Sequence, residues 1–312
     1  MNAAIEPTPA AMSNPLRRYI AATRPPFLSV TLVGCLVGLA SAHGSGVHVG
    51  ALTATVTIVF ALMAHAGVNV LNDYFDDRNG TDAANTERVF PFTGGSRFIQ
   101  NGILTQRETG QYGYLLLLAV VPAGLWLASQ SAIGLIWIGV AGLLVGWSYS
   151  APPLQLVSRG LGELAITAGW LLVVVGADFV QRRDFAFAPL AAGLCFALLV
   201  ANVLYINQFP DARADALAGK RTLVVRLGAD RARAGYAVIT AIGGLWLVGC
   251  VISGQLPRLA LVSLAPLGFS AAALAVLWRG TMRPSALAPA IKLTILAAVA
   301  HGLLLCLALL PG

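Results

Sequence analysis

Residues 50–77 read GALTATVTIVFALMAHAGVNVLNDYFDD. The positions up to Leu71 are predominantly apolar, and a helix needs roughly 20 such residues to cross a bilayer. The next six, Asn72 to Asp77, carry an asparagine and three aspartates. Carboxylates so near hydrocarbon are expensive and mark a functional site by default. The stretch therefore reads as a membrane span that ends in chemistry.

The rest of the chain repeats the apolar half of this pattern. Further runs fall near 27–43, 112–129, 132–149, 162–180, 187–207, 234–253, 258–278 and 288–310. Of 312 residues, 57% are hydrophobic and only 11% charged, against about 25% charged in soluble domains. The expected fold is an all-α polytopic membrane protein with nine transmembrane helices. Residues 1–16 are polar with three prolines, so a disordered tail is expected there. Residues 17–312 form the transmembrane domain.

A second polar cluster ends the sixth run: Asn207, Asp211 and Asp215. Their spacing of four places them on one helix face. In the first cluster Asn72 and Asp76 share a face, while Asn69, Asp73 and Asp77 share another; Asp82 follows Gly80 in a loop. Mg²⁺ takes one or two carboxylates together with substrate phosphate and water, so two such clusters suit hard cations that bridge to phosphates. Each cluster follows an even-numbered span, which hints at a parallel internal repeat and would set the clusters face to face at one end of the bundle.

Lys and Arg set the orientation. With the N-terminus inside, sixteen of the twenty fall on its side, against Arg182, Arg183 and Arg258 on the other, with Lys292 just inside the last span. N-in and C-out follow, with both clusters cytoplasmic. This bias accounts for most of the net charge of +7; nucleic acid is not an expected partner. The four cysteines lie in apolar spans without CxxC spacing and read as core hydrophobes. His43, His48, His65 and His301 show no ligand spacing, and Asp178 reads as an isolated acid at the opposite membrane end.

Beside each cluster lies a glycine and cation element: Thr93-Gly94-Gly95-Ser96-Arg97 and Gly219-Lys220-Arg221-Thr222. Glycines let backbone approach an anion, and the cations suit phosphoryl oxygens. Tyr149-Ser150-Ala151-Pro152-Pro153 turns the chain between two spans, and the Tyr149 ring could face a cationic intermediate. Glu163 reads as a cap or local partner.

These motifs resemble the UbiA superfamily of intramembrane aromatic prenyltransferases, from Arg24 to the end. The carrying residues are Asn72-Asp73-x-x-Asp76 with Gly80-x-Asp82, Tyr149-Ser150-Ala151-Pro152-Pro153, and Asn207-x-x-x-Asp211-x-x-x-Asp215 with Gly219-Lys220-x-Thr222-Leu223. Gly80-x-Asp82, the Gly-Gly segment into Arg97-x-x-Gln100-x-Gly102 and Gly160-Leu161-Gly162-Glu163 are most like the menaquinone branch, the 1,4-dihydroxy-2-naphthoate polyprenyltransferases. Two positions depart from the pattern: Gly80 stands where many members carry an acid, and Asn207-Gln208 where many of the branch carry two asparagines.

The resemblance implies nine helices around a central cavity that opens laterally to membrane lipid, in the inner membrane of a bacterium. It implies Mg²⁺ held by Asp73, Asp76, Asp82, Asp211 and Asp215. Asn72, Arg97, Asn207 and Lys220 would bind the diphosphate, and Tyr149, Asp76 and Asp211 would be catalytic. The implied substrates are a polyprenyl diphosphate and an aromatic quinone precursor. The prenyl group replaces the naphthoate carboxylate as CO₂; another ring such as 4-hydroxybenzoate is the alternative acceptor. A cation-coupled transporter is the alternative of another class, and it predicts acids near the membrane midplane and broken helices. The residues set neither the prenyl chain length nor the oligomeric state.

Overall fold

The computed structural model describes residues 5–279 and 283–310, and the described residues are helical, with no strand among them. A short helix α1 (Pro15–Ala22) precedes α2 (Pro25–Gly44), which starts on two prolines whose missing N–H groups cost nothing in a first turn. The opening stretch forms α3 (Ala51–Arg78), followed by one turn, α4 (Thr81–Ala84). Helix α5 (Gln106–Gln130) begins with a capping box, in which Thr105 Oγ1 accepts from Glu108 N–H and the Glu108 carboxylate accepts from Thr105 N–H. Then come α6 (Gly134–Ser150), α7 (Gly162–Arg182), α8 (Ala188–Leu217), the short α9 (Leu223–Leu227) and α10 (Ala229–Ile252). A 3₁₀ segment, Arg258–Leu264, leads into α11 (Leu267–Trp278), and α12 (Ala288–Leu309) closes the chain.

Eight of the described helical segments are long and apolar enough to cross a membrane; α6, with 17 residues, is a shorter apolar helix. Each run read from the sequence coincides with one of these nine segments. Helix α3 continues through Asp77, and α8 continues through Asp215. The clusters therefore stand on the last turns of helices.

Helix α8 is the buried centre, packed against α7, α10, α12 and α2. In a bilayer the lipid is as apolar as leucine, so helices pair through close backbone approach at small residues. Gly38 of α2 shows this: a β-carbon there would stand 2.2 Å from the Val174 carbonyl oxygen of α7. The core around α8 joins Val37, Val174, Phe196 and Leu305 from four helices. Helices α3, α5 and α6 stand beside this core, and a cavity of about 1370 Å³ lies between the two groups.

The N-terminal stretch carries contacts as well. Residues 1–4 of the expected tail lie outside the described residues. Within the remainder, Glu6 pairs with Arg88, and Asn101 donates to the Pro7 carbonyl oxygen (2.9 Å). At the opposite end of the bundle Asp178 is not isolated. It is 1% exposed and accepts from Arg182 Nε and Nη2 (2.7 and 2.8 Å). The four-residue spacing on α7 brings the two together, and burial makes the pair obligatory.

Candidate active site

The site is assembled where α3 and α8 end. On α3, Asn72 Nδ2 donates to Asp76 Oδ2 (3.1 Å) one turn on, and to Ser150 Oγ (3.0 Å) at the end of α6. Beyond α8, Gly219 adopts φ +76°, and Lys220 N–H donates back to the Asp215 carbonyl oxygen (2.8 Å). This turn aims Lys220 across the gap. Its Nζ donates to Asp76 Oδ2 and Oδ1 (2.9 and 3.1 Å) and lies 3.8 Å from Asp215 Oδ1. Burial works against the ammonium, but Asp76 and then Asp215 outweigh it and raise its pKa. One cation thus ties the first cluster to the second.

A second tie comes from Asn85, whose Nδ2 donates to Asp211 Oδ1 (2.6 Å). The expectation that the clusters face each other at one end of the bundle holds.

The segment after α4 folds over this end. Gly94 and Gly95 have φ of +78° and +72°, a region that side chains rarely adopt. Ser96 N–H donates to Asp73 Oδ2 (3.1 Å). A β-carbon on Gly95 would stand 2.6 Å from Asp82 Oδ2 and 3.0 Å from Asp73 Oδ1. Those two oxygens face the same bare backbone, and neither has a hydrogen-bond partner among the described residues. Burial, followed by the charges of Asp76 and Asp73, pushes the Asp82 carboxyl well above the usual carboxylate range.

Orphaned carboxylate oxygens around a glycine are a donor set for a hard cation. Among the described residues no three His, Cys, Asp or Glu side chains gather tightly enough to hold a metal alone. The fit is therefore to an ion such as Mg²⁺, which completes its shell with phosphate and water.

The other expected site residues divide. Asn72, Asp76, Asp82, Tyr149, Asn207, Asp211, Asp215 and Lys220 all line the cavity. Asn207 Oδ1 is buried without a hydrogen-bond partner. Arg97 does not line the cavity; it is 8% exposed, has φ +67° and donates through Nη1 to the Asp82 carbonyl oxygen (2.6 Å). It fixes the loop from behind. Asp77 is engaged by other partners than Asp73: Gln100 and Gln106 donate to it (3.1 and 2.7 Å). Glu163 accepts from Gln208 Nε2, and Gln208 Oε1 accepts from Val224 N–H, so the pair braces α7, α8 and α9.

Sequence reasoning missed Asn85, which lies three residues after Asp82 but outside any acidic spacing. It also gave Arg24 no role beyond its place among the sixteen cations on the N-terminal side. Arg24 lines the cavity with φ +58° and donates to the Phe92 carbonyl oxygen (3.1 Å). Its position before Pro25-Pro26 was the available signal.

Residues 31–308 match the model of the UbiA prenyltransferase family. The chain belongs to that family. Its curated relatives include the 1,4-dihydroxy-2-naphthoate octaprenyltransferase of Bacillus subtilis, 26% identical over 74% of this chain and 73% of that one. The 2-carboxy-1,4-naphthoquinone phytyltransferase of Synechocystis is 30% identical over 80% and 78%. The Escherichia coli 1,4-dihydroxy-2-naphthoate octaprenyltransferase is 28% identical over 79% and 76%. Among solved structures, a UbiA homolog from Archaeoglobus fulgidus bound to DMAPP and Mg²⁺ superposes with TM-score 0.63 at 16% identity, covering 92% of this chain and 99% of that one. At that identity the likeness shows the UbiA fold.

Proposed function

We propose that this UbiA-family protein transfers a polyprenyl group from its allylic diphosphate to 1,4-dihydroxy-2-naphthoate, with loss of CO₂, in menaquinone biosynthesis. The carrying observation is the pair of opposed acidic clusters, bridged by Lys220, at one end of a large apolar cavity. The naphthoate relatives support the acceptor. The acids that line the cavity, Asp76, Asp82, Asp211 and Asp215, gather where the continuous helices α3 and α8 end, which suits a diphosphate site and not a midplane ion path.

Asp73, Asp76, Asp82, Asp211 and Asp215 would hold Mg²⁺, which when bound neutralises the charge that gathers on the leaving diphosphate. Lys220 supplies a fixed positive charge to the same oxygens. Asn72 and Asn207 orient the diphosphate with their amides, and Arg97 positions the loop that carries Asp82. Tyr149 presents a ring face to the allylic cation. The apolar walls take the prenyl tail and exclude the water that would quench that cation. With α6 as the ninth span and the N-terminus inside, the site opens on the cytoplasmic side of a bacterial inner membrane.

The test is product mass. Membranes carrying the protein are incubated with a polyprenyl diphosphate and a panel of aromatic acids, with Mg²⁺ or with excess chelator. The expected result is a prenylated naphthol lacking the carboxylate, formed only with the cation. A carboxylate-retaining benzoate product without naphthoate turnover overturns the acceptor, and full turnover in chelator overturns the metal site.

A further inference from the structure

At the end of the bundle that carries the acids, two loops meet outside the cavity. Arg221 N–H, between α8 and α9, donates to the Ser158 carbonyl oxygen (2.9 Å), between α6 and α7. Gly160 follows Ser158 by two residues with φ +70°, and a β-carbon there would stand 2.8 Å from Arg226 Nε and 3.3 Å from the Arg221 carbonyl oxygen. The Arg226 side chain of α9 therefore lies over bare backbone, and its Nε donates to the Arg221 carbonyl oxygen (2.9 Å). Tertiary contact thus gathers Arg159, Arg221 and Arg226 around one glycine.

All three arginines are exposed, and none lines the cavity. The acids near them are engaged elsewhere: Glu163 with Gln208, Asp215 with Lys220 and Asp230 with Arg233. Arg159 Nη2 donates to the Pro153 carbonyl oxygen (2.8 Å). The Arg221 guanidinium and both terminal nitrogens of Arg226 have no hydrogen-bond partner among the described residues. Arg213, near the end of α8, is different, for it pairs with Glu87 (3.0 Å). Like charges brought together without an acid repel, and an anion among them reverses the sign.

Leucines frame this cluster. Leu161 and Leu164, three residues apart where α7 starts, are 41% and 68% exposed, and Leu227 beside Arg226 is 43% exposed. Guanidinium heads next to outward leucines match the level of a bilayer where phosphate gives way to hydrocarbon. A soluble anion has no use for the leucines.

We propose that Arg221 and Arg226, flanked by Arg159, form a binding site for an anionic phospholipid. The headgroup phosphate takes the two guanidinium forks, and the acyl chains lie along Leu161 and Leu164. The bound lipid stitches the loop after α8 to the loop after α6. Lys220, the residue before Arg221, stands in that seam, so the lipid steadies from outside the turn that aims Lys220 into the cavity.

The test titrates the full chain in detergent with phosphatidylglycerol or phosphatidylcholine, counting bound lipid by native mass spectrometry and following thermal unfolding in parallel. The wild type is expected to retain phosphatidylglycerol in preference to phosphatidylcholine and to melt higher with it. Arg221→Gln and Arg226→Gln should each weaken phosphatidylglycerol binding about five-fold, the scale of one arginine at an anionic headgroup, and the double variant about 30-fold. Arg226→Lys keeps the charge and should stay within about three-fold. Arg213→Gln removes a charge that Glu87 already pairs and should stay within about two-fold. Melting in phosphatidylcholine checks that each variant is folded. An equal loss in Arg213→Gln would reduce the effect to general surface charge and overturn the site, as would wild-type binding in the double variant. Inorganic phosphate that displaces the lipid at an ionic strength where chloride does not would show that the guanidiniums take a soluble anion, and would overturn the lipid.

Discussion

Each end of the bundle buries carboxylates against a cation, with opposite results. Where α7 ends, Asp178 meets Arg182 through two hydrogen bonds, and Arg182 Nη2 also donates to Ser45 Oγ (3.1 Å). Next to it, Gln181 Oε1 accepts from Gly50 N–H (2.9 Å). One acid meets one cation, and the surrounding donors are used in clamping α2, α3 and α7 together. Where α3 and α8 end, five aspartates (Asp73, Asp76, Asp82, Asp211 and Asp215) gather; Lys220 pairs with Asp76 and Asp215, Arg24 and Arg97 stand nearby, and two carboxylate oxygens remain without partners among the described residues. Charge balance separates a clamp from a site. A satisfied buried pair holds helices; buried anions in excess, on the wall of a cavity, call for a cationic ligand.

The largest expected effect tests the excess end. Asp76→Ala, Asp211→Ala and Asp215→Ala should each lower kcat by about 100-fold or more, the scale of removing one charge-stabilising group. Diphosphate release measures the loss, and size-exclusion elution in detergent checks that each variant is folded. Activity that survives at Asp211 while Asp178→Asn abolishes it would reverse the assignment of the two ends.

The clamp should respond in stability instead. Asp178→Ala leaves a guanidinium inside a protein end without its carboxylate, and breaking such a pair costs about 3 kcal/mol. Thermal unfolding in detergent should fall accordingly, while turnover per folded molecule stays at the wild-type value. A drop in turnover with unchanged melting would mean that this end also takes part in the reaction.

The smallest effect sharpens the edge of the site. Burial raises the Glu6 carboxyl, but hydrogen bonds from Arg88 and Asn101 and the charges of Arg88 and Arg97 outweigh it and lower the pKa below 4.5. A lowered folded-state value means that the contact contributes fully above pH 4.5 and is lost as pH falls through the lower folded value. The pair is partly exposed, so Glu6→Gln should cost under about 1 kcal/mol. It should speed protease cleavage before Pro15 at neutral pH, and the difference from wild type should vanish in acid. Cleavage at one rate in both proteins at neutral pH would show that the contact does not hold the segment.

The helices were legible because their cause is local. A run such as 188–206 is apolar enough that no other backbone arrangement hides its peptide groups from lipid. Asn72, Asp76, Asn207, Asp211, Asp215 and Lys220 were legible for a related reason. Helical spacing converts residue numbers into faces, and polar groups stand out against an apolar chain. Arg97 and Asp77 show where this stops. Each sits beside a motif by number, yet the loop from 85 to 105 turns Arg97 behind Asp82 and brings Gln100 and Gln106 to Asp77. Nothing in a four-residue period describes a loop. Asn85 was hidden for the same reason, since its partner Asp211 is 126 residues away.

By itself the sequence determined that this chain crosses a membrane many times and carries two acidic clusters at span ends, because hydrophobicity and helical period act over a few neighbouring residues. Tertiary structure alone decided which charges meet. It set Lys220 between Asp76 and Asp215, left Asp82 and Asp73 facing the backbone of Gly95, and closed Asp178 on Arg182. The Asp178 pair is the instructive exception, for its partner stood four residues away in the sequence. What the spacing could not show was burial, and burial is what turns a surface pair of little consequence into a structural clamp.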